Sequence, residues 1–168
     1  MLPYFHERQK MPWIISVAVL SGSVAFAGVI LFLWFGSETE PSMIRLLWGV
    51  WLVVTLIDGL LATFKLVTEV HSDGVKVWFG PFHFPSKHIQ WQEVETIYPR
   101  VYSPIAEYGG WGIRYGKAGG AYNIRGSQGV QLILKNGKKF LIGTQQPDDF
   151  IQAVKAAGGP VGEESDGV

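Results

Sequence analysis

The sequence predicts a membrane α-helical hairpin followed by an all-β domain that ends in a helix. Three observations support this fold class. Two apolar segments, residues 13–35 and 43–65, are each long enough to cross a hydrocarbon core at about 1.5 Å of rise per residue. Short runs of alternating apolar and polar residues begin directly after the second segment, and a helical pattern closes the chain. We therefore expect a β-rich domain held close to the bilayer.

The composition excludes several classes of function. The 168 residues carry 14 Lys plus Arg and 14 Asp plus Glu. This zero net charge argues against a nucleic-acid-binding protein held by bulk phosphate attraction. The chain contains no cysteine, which excludes disulfides, thiolate catalysis and cysteine-based zinc sites. The apolar segments leave roughly 95 residues, enough for one small soluble domain.

The first apolar segment is predicted to be a retained transmembrane helix. It follows a polar N-terminal segment, residues 1–12. The apolar run of residues 13–35 exceeds the ~7–15 residues of a signal peptide, and it has no credible cleavage site before Gly36. Residues 36–42 contain Gly, Pro and Ser and predict a turn between two antiparallel helices.

The charge distribution predicts the topology. Arg8 and Lys10 precede the first span, more bases follow the second span, and acidic residues occupy the turn. By the positive-inside rule both termini are cytoplasmic and the turn is external, which predicts a multi-pass protein of the inner (plasma) membrane. Arg45, at the external end of the second span, is the exception, and its long side chain can snorkel outward.

Two faces of the spans predict how the helices pack. Small residues of the first span recur at intervals of three and four: Ala18, Ser21, Gly22, Ala25 and Gly28. A stripe of the second span contains Trp51, Thr55, Asp58, Ala62 and Lys65. We expect one face to meet the other, or to meet its copy in a dimer.

Asp58 is the intramembrane polar residue of interest, together with Thr55. A carboxylate in hydrocarbon costs about 3 kcal/mol or more unless it is paired, hydrated or protonated. Asp58 either forms a proton or cation site, or makes a polar contact that fixes the pairing of the helices, or lies near enough to the cytoplasmic interface to be hydrated. In the last case it would hydrogen-bond Thr55 or a serine of the first span. The spans offer no second acid or histidine for a transport pathway.

Residues 66–158 predict about seven strands and one helix. Asp-Gly at 73–74 and Asn-Gly at 136–137 each separate two apolar runs, as in tight hairpins. Another hairpin joins WGIRYG to AYNIRG. Pro147 and two acids then open a helix, which the glycines at 158–159 end. The acidic tail, residues 159–168, is predicted to be disordered.

Three segments carry a resemblance to a known family: VHSDGVKVWFG with a break at residues 81–85, the hairpin GGWGIR to AYNIRG, and GVQLILKNGKKFLIGTQQPDDFIQAV. Together they resemble the bacterial pleckstrin-homology-like (PH-like) domains that follow one or two transmembrane helices in small membrane proteins. The resemblance implies an all-β PH-like barrel capped by a C-terminal helix, and a module that binds phosphoinositides, peptides or proteins. The first hairpin loop, residues 72–74, lacks the basic cluster of phosphoinositide-binding PH domains, which argues against inositol-phosphate recognition there.

A basic and aromatic surface is the candidate site for a partner or lipid. Its predicted members are Tyr108, Trp111, Arg114, Lys117 and Arg125. The glycine-rich run around them does not match a phosphate-binding P-loop, because Trp111 and Ala118 occupy the positions that need Gly and Ser or Thr. Such a surface can lie on anionic headgroups, each base contributing about 1 kcal/mol, or it is a solvated hairpin face.

No catalytic or metal-binding constellation stands out. His83 and His88 lack a third ligand, and Glu93 and Glu95 lack a cleft that would separate their pKa values. We therefore predict a non-enzymatic protein without a cofactor. It would present a cytoplasmic docking module for a protein partner, for self-association or for anionic lipid headgroups. The alternative is a subunit of an oligomeric transport or channel assembly that uses Asp58.

Overall fold

The computed structural model describes residues 2–36, 40–116 and 118–162. Residues 37–39 of the predicted external turn, Lys117 of the predicted surface and residues 163–168 of the predicted tail lie outside the described residues. The chain divides into two compact units. Met11–Phe64 forms a helical unit, and Met1–Lys10 together with Lys65–Val168 forms a β-rich unit.

The helical unit consists of α1, Trp13–Gly36, and α2, Pro41–Ala62. Both are long and apolar enough to cross a membrane, and the apolar side chains that the structure describes in them are almost all exposed, as lipid-facing helices require. Proline at the first position of α2 suits a helix start, because its missing N–H would have no partner there. α2 ends at Ala62, three residues before the predicted end of the span, because Lys65 already begins a strand.

The two helices do not pack through the predicted small-residue face. A side chain added at Gly22 or Gly28 would meet nothing within 4 Å. Among the side chains that the structure describes, the buried residues of the pair are instead Ile30 and Ile44. The predicted stripe of α2 does take part, since Trp51 bonds to α1 across the interface. Hydrogen bonds between polar groups therefore contribute to this helix contact.

The described residues of the β-rich unit form nine strands in two sheets. The first sheet is antiparallel with the order β1-β2-β3-β4, formed by Phe5–Lys10, Lys65–His71, Gly74–Gly80 and Ser86–Gln90. The second has the order β5-β8-β9-β7-β6, formed by Val94–Val101 (β5), Gly112–Gly116 (β6), Gly119–Asn123 (β7), Gln128–Leu134 (β8) and Lys139–Gly143 (β9). Its strands are antiparallel except for the parallel pair β7 and β9.

Two helices complete this unit. The short α3, Pro104–Tyr108, connects β5 to β6, with Ser103 as its N-cap and Gly109 in the left-handed conformation at its end. α4, Pro147–Ala156, is the predicted C-terminal helix, and it packs against strands of both sheets, namely β1, β2, β5 and β8. It therefore covers the core between the sheets.

The predicted barrel of about seven strands is not what the structure shows. The strands form two separate sheets that do not close. Two further strands account for the difference in number. A 3₁₀ turn, Trp91–Glu93, divides the predicted third strand into β4 and β5. The other addition is β1, which lies in the segment that we expected to be a polar N-terminal extension.

β1 was missed because its inward face is polar. Phe5, Glu7 and Gln9 alternate as buried residues along the strand. Glu7 accepts hydrogen bonds from the Thr144 hydroxyl, at 2.5 Å, and from the Gln145 backbone N–H, at 2.9 Å. Gln9 Nε2 donates to the Gly143 carbonyl at 2.7 Å. A strand whose buried polar side chains bond to residues more than 130 positions away gives no local apolar signal.

Candidate functional site

Exposed side chains at the edge strand β6 form a surface that we call the hairpin surface: Trp111 just before the strand, Ile113 and Tyr115 on one face of it, and Arg114 on the other. Trp111 is 40% exposed, and its indole N–H donates to the Gly126 carbonyl at 3.0 Å. Arg114 Nε donates to the Trp111 carbonyl at 3.0 Å, which ties the base to the backbone of Trp111. β6 is the last strand of its sheet. The surface is therefore an aromatic and basic sheet edge.

Tyr108 does not belong to this surface, contrary to the sequence prediction. It is only 7% exposed and packs edge-on against Tyr102, with the ring centroids 5.8 Å apart. The turn of α3 followed by left-handed Gly109, with φ of 72°, directs the side chain into the core. Burial raises the pKa of the Tyr108 phenol, and burial also raises the pKa of Tyr102 to about 12. Both rings are core residues.

The predicted bases of the surface are separated. Arg114 is exposed, whereas Arg125 is half-buried, and its Nε lies in the interior without a hydrogen-bond partner among the described residues. Lys117 lies outside the described residues. The structure thus joins Trp111 and Arg114 by a hydrogen bond on the hairpin surface, whereas Arg125 is half-buried.

A cleft that the sequence analysis missed adjoins this surface. It has a volume of about 540 Å³ and is lined by Lys87 of β4, by Lys138 and Lys139 at the start of β9, and by the rings of Tyr115 and Phe140. No Asp or Glu is among its described lining residues. We call it the lysine cleft. Lys138 and Lys139 belong to a recognisable hairpin, but no sequence signal connects them to Lys87.

Glycines allow the walls of the lysine cleft to approach each other. Gly119 has φ of 102°, and a Cβ at this position would overlap the Lys139 carbonyl oxygen. Gly120 is the register partner of Phe140, whose ring would lie 2.9 Å from an added Cβ. On the other side, the Lys87 ammonium lies 4.1 Å from the centroid of the same ring. Phe140 is thus an apolar floor with a cation–π contact beneath a basic rim.

The intramembrane candidates lie at the contact between the two helices. Trp51 Nε1 donates to the Ser23 carbonyl at 3.0 Å, and the hydroxyls of Ser23 and Thr55 are 2.9 Å apart. Asp58 is half-buried on the same face and makes no hydrogen bond or ion pair with a described residue. It lines a mostly apolar cavity of about 510 Å³ within the helical unit. Thr55 therefore bonds Ser23 rather than Asp58.

The histidines do not form a metal centre in the described part of the chain. His83 stacks on Trp78 with the centroids 5.3 Å apart, and His88 lies 3.4 Å from the Asp73 carboxylate. Among residues 2–36, 40–116 and 118–162, no group of three or more potential ligands could hold a metal ion. Glu69 bonds both His6 and His71. Burial raises the pKa of the Glu69 carboxyl, but these histidines outweigh it and hold that pKa below its usual value.

No family model matches this chain, and neither a curated protein nor a solved structure matches it. The class of protein is therefore inferred from the geometry of the structure alone. Two apolar helices that could cross a membrane are inserted into a two-sheet unit with an aromatic edge and a lysine cleft.

Proposed function

We propose that this chain is an integral membrane protein whose cytoplasmic PH-like unit docks anionic groups, carried either by lipid headgroups or by a protein partner. The lysine cleft is the observation that carries this proposal. Three lysines from two distant parts of the sequence line one cleft, the Lys87 ammonium lies over the Phe140 ring, and the described lining contains no carboxylate to neutralise these charges. Bases gathered in this way repel each other until an anion joins them.

The sheet register supports the proposed topology. β1 and β2 pair along their whole length, with Lys10 opposite Lys65. The segments before and after the helices are therefore neighbours in one sheet, and they must lie on the same side of any bilayer that the helices cross. Together with the basic residues that flank the helices, this pairing supports a cytoplasmic location for both β1 and β2.

The membrane also makes a weak site useful. Tethering through two spans raises the effective concentration of headgroups at the domain, so a site worth about 1 kcal/mol per lysine suffices for occupancy. The hairpin surface adjoins the cleft through Tyr115 and supplies Arg114 and Trp111. Self-association fits this proposal only if an acidic segment of a second copy binds in the lysine cleft.

The test uses the full-length protein in nanodiscs of phosphatidylcholine, with or without an anionic lipid, followed by hydrogen–deuterium exchange. We expect the amides of residues 134–140 to exchange more slowly only in anionic nanodiscs, and added salt to remove this protection. The double variant Lys138→Gln/Lys139→Gln should lose it. Lys76→Gln/Lys155→Gln removes the same charge outside the cleft and should keep it.

A second measurement distinguishes the lipid from a protein partner. If anionic lipid gives no protection, crosslinking of the tagged protein in its native membrane is compared between the same two variants. Recovery of one membrane protein that depends on Lys138 and Lys139 supports protein docking. No lipid protection and no lysine-dependent crosslink would reject the proposal.

A subunit of an oligomeric transport or channel assembly is the second candidate function. The unpartnered Asp58 beside a 510 Å³ cavity favours it. We expect Asp58→Asn to change ion flux in proteoliposomes without changing assembly, because the neutral side chain removes the charge and keeps the shape. Ser21→Ala, on an exposed part of α1, is the control. Flux that is absent, or equal in the native protein and Asp58→Asn, excludes this candidate.

A further inference from the structure

The loop between β3 and β4, residues 81–85, exposes two large aromatic side chains. Phe82 is 70% exposed and Phe84 is 77% exposed. His83 between them folds back instead and stacks on Trp78 of β3. The base of the loop is closed by a hydrogen bond from the Phe79 N–H to the Pro85 carbonyl at 3.2 Å. Two phenylalanines are thus presented outward on a short, tied loop, which is typical of an interaction site.

The register places this loop at a particular end of the first sheet. Lys10 pairs with Lys65, Lys65 pairs with Gly80, and Trp78 pairs with Ser86. Since neighbouring strands lie about 4.8 Å apart, Gly80 is two strand spacings, or roughly 10 Å, from Lys10. The loop therefore begins beside the two strand ends from which the chain enters and leaves the helical unit.

The covalent chain limits how far this end can be from the helices. Met11 and Pro12 separate Lys10 from α1, and Thr63 and Phe64 separate α2 from Lys65. Two residues extend over at most about 10 Å. If the helices cross a bilayer, as the proposed function requires, two short tethers hold this edge of the sheet within that distance of the helix ends.

We propose that Phe82 and Phe84 insert into the interface of the same bilayer and fix the orientation of the β-rich unit on it. The chemistry of this end fits a lipid surface. Lys10 is exposed and Lys65 is half-exposed at the adjoining strand ends. These two bases can contact lipid headgroups while the neighbouring Phe82 and Phe84 rings reach the boundary of the acyl chains. The inference uses only the membrane crossing from the proposed function and is independent of the lysine cleft.

The absence of cysteine from the chain provides a direct test. A single fluorophore sensitive to polarity is attached to Phe84→Cys in the full-length protein in nanodiscs, some of which contain lipids spin-labelled near the carbonyl region. Ser72→Cys is the matched control. It lies in the turn between β2 and β3, at the opposite end of the same two strands and roughly 20 Å away.

We expect the label at position 84 to emit at shorter wavelength and to be quenched by the spin-labelled lipid. The label at position 72 should emit as in water and be quenched by iodide. Equal, aqueous behaviour at both positions would overturn the inference. A blue shift at position 84 without quenching by lipid would also overturn it, because a protein surface would then cover the loop.

A combined variant keeps this inference distinct from the proposed function. Lys138→Gln/Lys139→Gln should leave the lipid quenching at position 84 unchanged, since the loop is held by the short tethers and not by the cleft. If the double variant abolishes that quenching, the loop does not act as an independent contact and the inference fails. If neither span crosses the membrane, spin-labelled lipid should quench the label at neither position 84 nor position 72. Alkaline carbonate should then also extract the protein from the membrane.

Discussion

Phe150→Ala is expected to lower the free energy of unfolding of the β-rich unit by about 3–5 kcal/mol. Phe150 is fully buried in the first turn of α4, and its ring meets Phe5 of β1 edge-on with the centroids 5.3 Å apart. The substitution leaves a cavity where the C-terminal helix, the N-terminal strand and the second sheet converge. Urea unfolding of the full-length protein in detergent, followed by exchange of backbone amides in α4 and β1, measures the loss.

Phe82→Ala is the matched control, because it removes the same atoms from an exposed ring. It should change the free energy of unfolding in detergent by no more than about 0.5 kcal/mol. Equal effects of the two substitutions would contradict the placement of Phe150 in the core. The comparison also distinguishes a phenylalanine that stabilises the core, Phe150, from one that contacts lipid, because Phe82 is expected to have an effect only when a bilayer is present.

Gly119→Ala is expected to destabilise the β-rich unit by about 2 kcal/mol or more. The position has φ of 102°, which side chains rarely adopt, and the added Cβ would overlap the Lys139 carbonyl oxygen. The parallel contact between β7 and β9 would have to open, so the wall of the lysine cleft would move. Thermal unfolding and the anionic-lipid protection of residues 134–140 measure these two effects.

Gly137→Ala is the control for backbone conformation. Gly137 also has a positive φ, of 78°, but an added Cβ would meet nothing within 4 Å. We expect a cost of about 1 kcal/mol from conformation alone, with the cleft intact. A loss at Gly137 as large as that at Gly119 would show that strain, and not the contact with β9, determines the effect.

The helical unit is an insertion within a β-hairpin. β1 and β2 are neighbouring antiparallel strands, and residues 11–64 lie between them. The first sheet therefore cannot be completed until both helices have been synthesised. This arrangement also connects the sheet to the helices by two short tethers rather than one, which restricts rotation of the sheet about either tether.

The sequence by itself determined the elements that local signals encode. Uniform apolarity over more than 20 residues gave the two helices, and the turns at Asp73-Gly74 and Asn136-Gly137 gave the hairpins β2–β3 and β8–β9, which the structure confirms. The C-terminal helix is also confirmed, from Pro147 and its amphipathic pattern. Each of these signals lies within the element that it predicts.

The tertiary structure decided what depends on distant partners. Glu7 and Gln9 are buried in a strand where Thr144, Gln145 and Gly143 hydrogen-bond them, and no neighbour in sequence could reveal this. Tyr108 is in the core because α3 turns it away from the hairpin surface. Lys87 lines the same cleft as Lys138 and Lys139 only because the fold brings β4 of one sheet near the start of β9 of the other. The positions of these residues depend on packing between segments far apart in the chain. A local sequence pattern with a period of two or 3.6 residues therefore cannot predict them.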